Sequence, residues 1–247
     1  MGKDEKLVRL NELFEQRKIG PTHGSFSARL PLRTPSGTQF AESLLEAELV
    51  RQLNFSNRVY DILTQPILRY LKQGIPRRYT ADVIVQLHPS PPAPIWYLIE
   101  VKRQEDLDRH EDRYWEKFQV AREWCDGNNA EFRILTEQHI RTDYLYNANL
   151  LSEYLISEPS DEIVGLVWDR LKQGPVSVAD LTLHLGTYGL DRPSARKAIF
   201  QLVANRFVHC DLSRRFDDQT VLSELTREIL ADHVSDPIIK NIRRAPA

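Results

Sequence analysis

The stretch Arg78-Tyr79-Thr80-Ala81-Asp82-Val83-Ile84-Val85-Gln86-Leu87-His88, followed by Ile95-Trp96-Tyr97-Leu98-Ile99-Glu100-Val101-Lys102, decides the reading of this chain. Both segments are rich in β-branched and aromatic residues, which favour strands. Between them Pro89, Pro91, Pro92 and Pro94 cannot donate to a ladder, so the run breaks into a hairpin. Alternation along the second strand puts Leu98, Glu100 and Lys102 on one face and Tyr97, Ile99 and Val101 on the other. An otherwise apolar strand thus carries a carboxylate and an ammonium side by side, and Asp82 sits in an equally apolar strand next door. Burying charge is costly unless it is paired or binds a metal. The alternative is a surface strand carrying an ordinary Glu–Lys pair.

Upstream, Arg58 to Gln65 reads as a strand ended by Pro66. The segment Pro66 to Ala81 holds Arg69, Lys72, Arg77 and Arg78 with no acid among them, a candidate phosphate-facing patch or else a solvated hairpin. Phe40 to Asn54 is a predicted helix with Ala41, Leu45, Leu49 and Leu53 as its apolar stripe. Glu42 and Glu46 lie along one margin of that stripe and Glu48 on the other flank, so a carboxylate there can lean over the adjacent sheet or stay solvated. Asp4 to Lys18 is predicted as an amphipathic helix, and Gly20 to Arg29 as a loop containing His23. Downstream, Arg103 to Arg109 reads as a charged loop, His110 to Asp126 as a helix stopped by Gly127-Asn128-Asn129, and Ala130 to Thr136 as a strand. Helix, three strands, helix and strand make a compact α/β domain with a mixed sheet, over residues 1–145.

From residue 146 onward the texture turns helical. Helices are expected at Leu150 to Ser157, Ser160 to Gln173, Val178 to Leu185, and from Asp191, an N-cap with Pro193 early in the helix, to Asn205. Phe207 to Leu212 and Thr220 to Leu222 suggest a hairpin, giving a winged-helix domain over 146–247 with a loose tail from Asn241. Arg192, Arg196 and Lys197 on the candidate recognition helix are offset by Asp191, Asp211, Asp217 and Asp218, a mixed charge that suits a protein partner better than a DNA groove.

The net charge of −2 and pI near 6.4 exclude a wholly basic nucleic-acid coat, so any DNA contact must be local. An apolar content of 41% supports a real core. Cys125 and Cys210 fit no zinc or redox spacing and are expected as free thiols in a reducing compartment. No apolar run approaches the roughly 20 residues of a membrane span, and no signal peptide opens the chain, so the expected setting is the bacterial cytoplasm.

Asp, a turn, then Glu-x-Lys resembles the active-site signature of restriction-endonuclease-like nucleases. More of the chain resembles one family, the TnsA endonucleases of heteromeric transposons. Phe40-Ala41-Glu42-Ser43-Leu44-Leu45-Glu46 with Val59-x-Asp61-Ile62-x-x-Gln65-Pro66 is similar to its first motif, and Tyr79-Thr80-Ala81-Asp82 to its second. Leu98-Ile99-Glu100-Val101-Lys102 is similar to its third, and Phe132 to Glu137 to a less specific fourth. Two departures stand out: Ala81 where a Pro is common, and Glu100 where some members carry Gln. The resemblance implies a restriction-endonuclease-like fold with Glu46, Asp82, Glu100 and Lys102 as the catalytic set. The spacing from Ser43 favours Glu46 over Glu42. Mg²⁺, with Mn²⁺ as a substitute, would be held by Asp82, Glu100, the Val101 carbonyl and Glu46. The resemblance further implies hydrolysis at the 5′ ends of a transposon in cut-and-paste transposition, a partner transposase (TnsB) and a regulatory AAA+ ATPase (TnsC) docking on the C-terminal domain. Another nuclease of the same fold, for repair or restriction, and a non-catalytic winged-helix adaptor are the alternatives.

Overall fold

The computed structural model describes residues 7–17, 27–89, 96–226 and 236–247. His23 and most of its loop, and Pro91, Pro92 and Pro94 of the proline-rich turn, lie outside these residues. The chain divides into two compact units, one of residues 1–141 with 238–247 and one of residues 142–237.

The first unit runs α1 (Leu10–Leu13), β1 (Glu15–Gln16), β2 (Ala28–Leu30), β3 (Gln39–Ala41), α2 (Leu44–Phe55), β4 (Val59–Thr64), β5 (Pro66–Lys72), β6 (Ile75–Thr80), β7 (Val83–Leu87), β8 (Trp96–Val101), α3 (Gln104–Arg109), α4 (Glu111–Asp126), β9 (Ala130–Leu135) and α5 (Glu137–Ile140). Its central sheet has the order β4-β7-β8-β9, antiparallel except for the parallel β8–β9 pair. The apolar faces of β7 and β8 are explained by burial on both sides. On one side Ile84, Leu98, Phe132 and Ile134 pack with Phe118, Ala121 and Cys125 of α4. The opposite side chains, Val83, Val85, Tyr97 and Ile99, are equally buried. A second sheet, β1-β5-β6, carries the basic segment as a hairpin whose turn residues Gln73 and Gly74 have φ of 52° and 77°, the doubly left-handed pattern that keeps a tight hairpin twisted with its strands.

The two sheets meet at one crossing. Gln65 alone separates β4 from β5, and its φ of 53° turns the chain sharply. Its N–H donates to the carbonyl of Asp82 at 2.9 Å, and the Ala81 N–H donates to the carbonyl of Pro66 at 3.2 Å. Two strands therefore pass from one sheet to the other side by side, and Asp82 sits at the bend.

Several local expectations are corrected. The helix expected from Asp4 to Lys18 is, among the described residues, only α1, because Glu15 and Gln16 pair with Ile67 and Pro66 as sheet. Leu10 anchors this segment in the core, and its N–H donates to Asp61 at 2.8 Å. The helix expected from Phe40 begins at Leu44, since Ser43 accepts from the Glu46 N–H as an N-cap and Gln39–Ala41 pairs with β2. Arg103 to Arg109, expected as a loop, contains α3.

The second unit holds α6 (Asp143–Leu151), a 3₁₀ turn (Ser152–Ile156), α7 (Asp161–Leu171), β10 (Val176–Ser177), α8 (Val178–Gly186), α9 (Arg192–Ala204) and β11 (Val221–Leu222). Ser160, Ser177 and Asp191 cap α7, α8 and α9, as their types predict. The helix expected at Leu150 to Ser157 starts earlier, at Asp143, and loosens into the 3₁₀ turn. The expected hairpin is also altered: β11 pairs antiparallel with β10, and the 207–212 segment meets it only at the His209–Ser223 bridge. Asn147 ties the segment after it, donating to the carbonyls of Leu212 and Arg214 and accepting from the Phe216 N–H at 2.8 Å.

The tail expected to be loose is ordered. Residues Pro237–Arg244 form α10, which buries Ile238, Ile239 and Ile242. Arg243 donates to the Tyr97 hydroxyl at 3.3 Å, and the Pro246 carbonyl accepts from the Ile134 N–H of edge strand β9 at 2.8 Å. No helix among the described residues is long and apolar enough to cross a membrane.

Candidate active site

Register builds the centre of the site. Val83 pairs with Ile99, so the antiparallel ladder sets Asp82 beside Glu100 at the end of β7 and β8. Lys102, just past β8, folds its ammonium back onto both. Its Nζ lies 2.8 Å from Asp82 Oδ2 and 2.6 Å from Glu100 Oε2, and also donates to the Val101 carbonyl at 3.1 Å. Three oxygens from two strands thus converge on one cationic nitrogen. The Val101 N–H donates to the same Asp82 oxygen at 2.8 Å, which fixes that carboxylate. The Tyr79 hydroxyl holds the other oxygen of Glu100 with a short hydrogen bond. The side chains of Glu100, Asp82 and Lys102 are 7%, 16% and 20% exposed, so this pairing operates largely out of water.

The electrostatics follow from that burial. Desolvation first, then the charge of Asp82, push the Glu100 carboxyl up to about 7, although Lys102 and the Tyr79 hydroxyl pull it down. Burial alone would lower the Lys102 ammonium, but Asp82 and Glu100 outweigh it and raise its pKa, so the side chain stays charged. Burial, with Glu100 next to it, also raises the Tyr79 phenol, which keeps its proton and acts as a donor. Replacing Tyr79 with Phe leaves a buried Glu100 oxygen without its partner. We expect that change to cost about 1–3 kcal/mol of stability, read by urea unfolding.

Around this centre a cleft of about 590 Å³ is lined by residues from four directions. The β5–β6 hairpin contributes Tyr70, Arg78 and Thr80, and α4 contributes Arg113, Tyr114 and Lys117. Arg17 and Glu42 close another side, paired with each other, and Arg17 also donates to Gln65 Oε1 at 2.6 Å. The Tyr114 ring lies 5.9 Å from the Lys102 ammonium, a cation–π distance. Among the described residues Arg78, Arg113 and Lys117 make no ion pair, so an acidic floor is walled by uncommitted cations.

The four residues expected as the catalytic set are therefore distributed unequally. Asp82, Glu100 and Lys102 meet directly. Glu46 is 8% exposed at the start of α2, and its carboxylate accepts from Ser43 Oγ at 2.8 Å and from the Glu42 N–H at 3.0 Å. Burial first, then the charge of Asp82, raises its pKa, against the pull of its cap hydrogen bonds and of Lys102, and the carboxylate closes its own helix cap. Glu42, the other helix carboxylate weighed from sequence, lines the cleft in its pair with Arg17. Of the four basic residues expected to face DNA, Arg69 and Lys72 are paired with Glu15 and Glu116, whereas Arg77 and Arg78 have no ion pair among the described residues. Arg113 and Lys117 escape a reading of the sequence because they look like the solvated face of any charged helix. Asp61 is a buried carboxylate of a different kind. It accepts from Leu10, Ser36 and Ile62 backbone N–H groups and the Ser36 hydroxyl, and so serves the fold.

Asp82 Oδ2, Glu100 Oε2 and the Val101 carbonyl suit a hard divalent cation, since all are oxygens already gathered within 3.1 Å of one positive charge. Among the described residues no three His, Cys, Asp or Glu side chains form a ready-made metal-holding group; the centre offers two carboxylates and a backbone carbonyl.

No curated protein matches the chain. Residues 56–137 match the family described as the TnsA-like endonuclease N-terminal domain, a segment that spans β4 to the start of α5 and leaves Glu42 and Glu46 outside. This matched segment, which holds Asp82, Glu100 and Lys102, is similar to the N-terminal domain of TnsA-like endonucleases.

Proposed function

We propose that the chain hydrolyses DNA phosphodiesters in a divalent-metal-dependent reaction, and that it does so at the 5′ ends of a transposon. The observation that carries this reading is the convergence of Asp82, Glu100 and the Val101 carbonyl on one cation at the floor of a basic-walled cleft. Asp82, Glu100 and the Val101 carbonyl would hold Mg²⁺ or Mn²⁺, and Glu46, whose carboxylate closes its own helix cap, is the further ligand this reading calls for. The bound cation would supply Lewis acidity, activating water and offsetting charge on the scissile phosphate. The chain's own residues do the rest. Arg78, Arg113 and Lys117 draw the phosphate backbone into the cleft. Lys102 remains protonated, so it works as a donor to the phosphate and not as a base. Tyr79 keeps its proton on the phenol oxygen and orients Glu100. Glu100 must be ionised to ligate, so cation binding strengthens as pH rises towards and past its value of about 7.

The biological setting extends the family match. A partner transposase (TnsB) would cut the 3′ ends, and a regulatory ATPase (TnsC) would dock on the second unit. The order helix, strand, helix, helix, strand from α7 to β11 supports reading that unit as a winged helix. The mixed charge of α9, where Arg192 and Arg196 both reach Asp218, supports a protein partner there.

The deciding experiment is cleavage of labelled transposon-end duplex with Mg²⁺ or Mn²⁺, with and without the partner transposase. Cutting of the 5′ strand supports the proposal, and no cutting under either condition removes it. The basic hairpin is checked separately. Replacing Arg77 and Arg78 with Ala should weaken DNA binding and reduce the slope of log affinity against log salt by about 2, one for each phosphate that the arginines no longer neutralise. An unchanged slope in a fluorescence-anisotropy titration takes the hairpin out of the DNA interface.

A further inference from the structure

The end of the β5–β6 hairpin presents apolar side chains to solvent. Leu71 is 71% exposed and Ile75 51%, and Pro76 beside them is exposed as well. Cross-strand register sets Leu71 opposite Pro76, and two residues nearer the cleft, on the same face, it sets Arg69 opposite Arg78. Along one face of the ribbon, arginines therefore come first and an apolar pair last. Ile75, opposite Lys72, takes the other face at the tip. The tight turn at Gln73-Gly74 keeps the strands paired to the end, so these side chains sit on a stiff ribbon.

We infer that this hairpin is a DNA-deforming arm: Arg77 and Arg78 grip phosphates while Leu71, Ile75 and Pro76 wedge between base pairs next to the cleft. The inference rests on the reading of DNA as substrate. Two observations select DNA as the occupant. The arm is positively charged, with Arg77 and Arg78 uncommitted to any acid among the described residues. It is also continuous with the catalytic cleft, because Tyr70 and Arg78 line both that cleft and the shallow basic depression on the arm itself. A two-stranded ribbon fits a DNA groove, and apolar wedges on basic arms unstack a base step and bend the duplex. A bend beside the cleft would lift the scissile strand towards Asp82 and Glu100.

The test uses the full-length Asp82→Asn protein, which keeps the duplex uncut, and duplexes in which an adenine analogue that brightens on unstacking is walked through the site. Brightening at one step on binding is expected. The added double change Leu71→Ser and Ile75→Ser should abolish it, while binding persists through the arginines and the thermal melt is unchanged. Full brightening with the double variant overturns the wedge, as does a parent protein that binds duplex without brightening any position. Loss of all duplex binding in a variant with an unchanged melt also overturns it, because the tip is then a contact surface only. So does a normal DNA response accompanied by failure to retain the partner transposase. The unsubstituted protein is assayed for cleavage alongside, with and without the partner transposase. Cutting without brightening sinks the wedge alone, and no cutting under either condition sinks the nuclease proposal.

Discussion

Replacing Asp82 with Asn should lower DNA cleavage by at least about a thousandfold while the fold stands, because in the proposed reaction several kcal/mol of transition-state stabilisation would pass through a cation that needs this charge. Among the described residues, Asp82 is the only side chain that accepts both from Lys102 and from the Val101 backbone, and it sits where two strands cross between sheets. Asn preserves its shape and an acceptor oxygen for the Val101 N–H, so the bend survives. What disappears is one of two negative charges in the donor set. Cleavage of supercoiled plasmid or labelled duplex with saturating Mn²⁺ measures the effect, and a circular-dichroism melt checks the fold. A variant that cuts at the parental rate would show that the cation site lies elsewhere.

Lys102→Met should be the most damaging single change to stability in the first unit, at about 3–5 kcal/mol, the usual cost of removing one partner from a buried ionic cluster. Its ammonium is the counter-charge for two carboxylates that are 7% and 16% exposed. With it gone, Asp82 and Glu100 face each other unscreened. The pH dependence has a definite sign. Glu100 already binds its proton more tightly folded than unfolded, with a folded pKa of about 7 against an ordinary 4.5. A carboxyl raised in this way favours the fold below its unfolded value, and that contribution is lost as pH rises through the folded value. Removing Lys102 raises it further, so the deficit should be largest near about pH 8 and shrink towards about pH 5 as Glu100 protonates. Urea unfolding at both pH values decides it. A deficit independent of pH would mean that Lys102 contributes packing and no charge. The same variant tests the proposed cation site directly, because the ammonium occupies the point on which the three oxygens converge. Mn²⁺ binding by the free protein, followed by calorimetry, should strengthen when that internal competitor is removed.

The centre of this site is legible in the sequence because charge in an apolar strand has few explanations. Asp82, Glu100 and Lys102 stand out against Val83-Ile84-Val85 and Tyr97-Leu98-Ile99, and period-two alternation alone puts Glu100 and Lys102 on one face. Helix α9 is legible for a local reason as well: Asp191 caps it and Pro193 opens it. The hidden parts depend on partners distant in sequence. Residues 7–14 carry helical spacing, but sheet pairing with Pro66 and Ile67 takes over at Glu15. Tyr79 reads as one more strand aromatic until Glu100 is set against its hydroxyl. Arg113 and Lys117 become cleft walls only when α4 lies along the sheet. Glu46 carries a double signal, since Ser43-x-x-Glu46 is a capping signature as well as a carboxylate at a packing margin.

The return of residues 238–247 to the first unit has a consequence for the order in which the protein is made. Residues 142–237 are an insertion into the nuclease unit, and the segment that covers the free edge of β9 is synthesised only after the entire insertion. A nascent chain that has emerged through Arg141 holds Asp82, Glu100 and Lys102 but still shows an open sheet edge, without Ile238, Ile239 and Ile242 in place. Translation that halts within the insertion therefore leaves an unfinished nuclease. The first unit is closed by residues 238–247, which are made only after the whole of the companion unit.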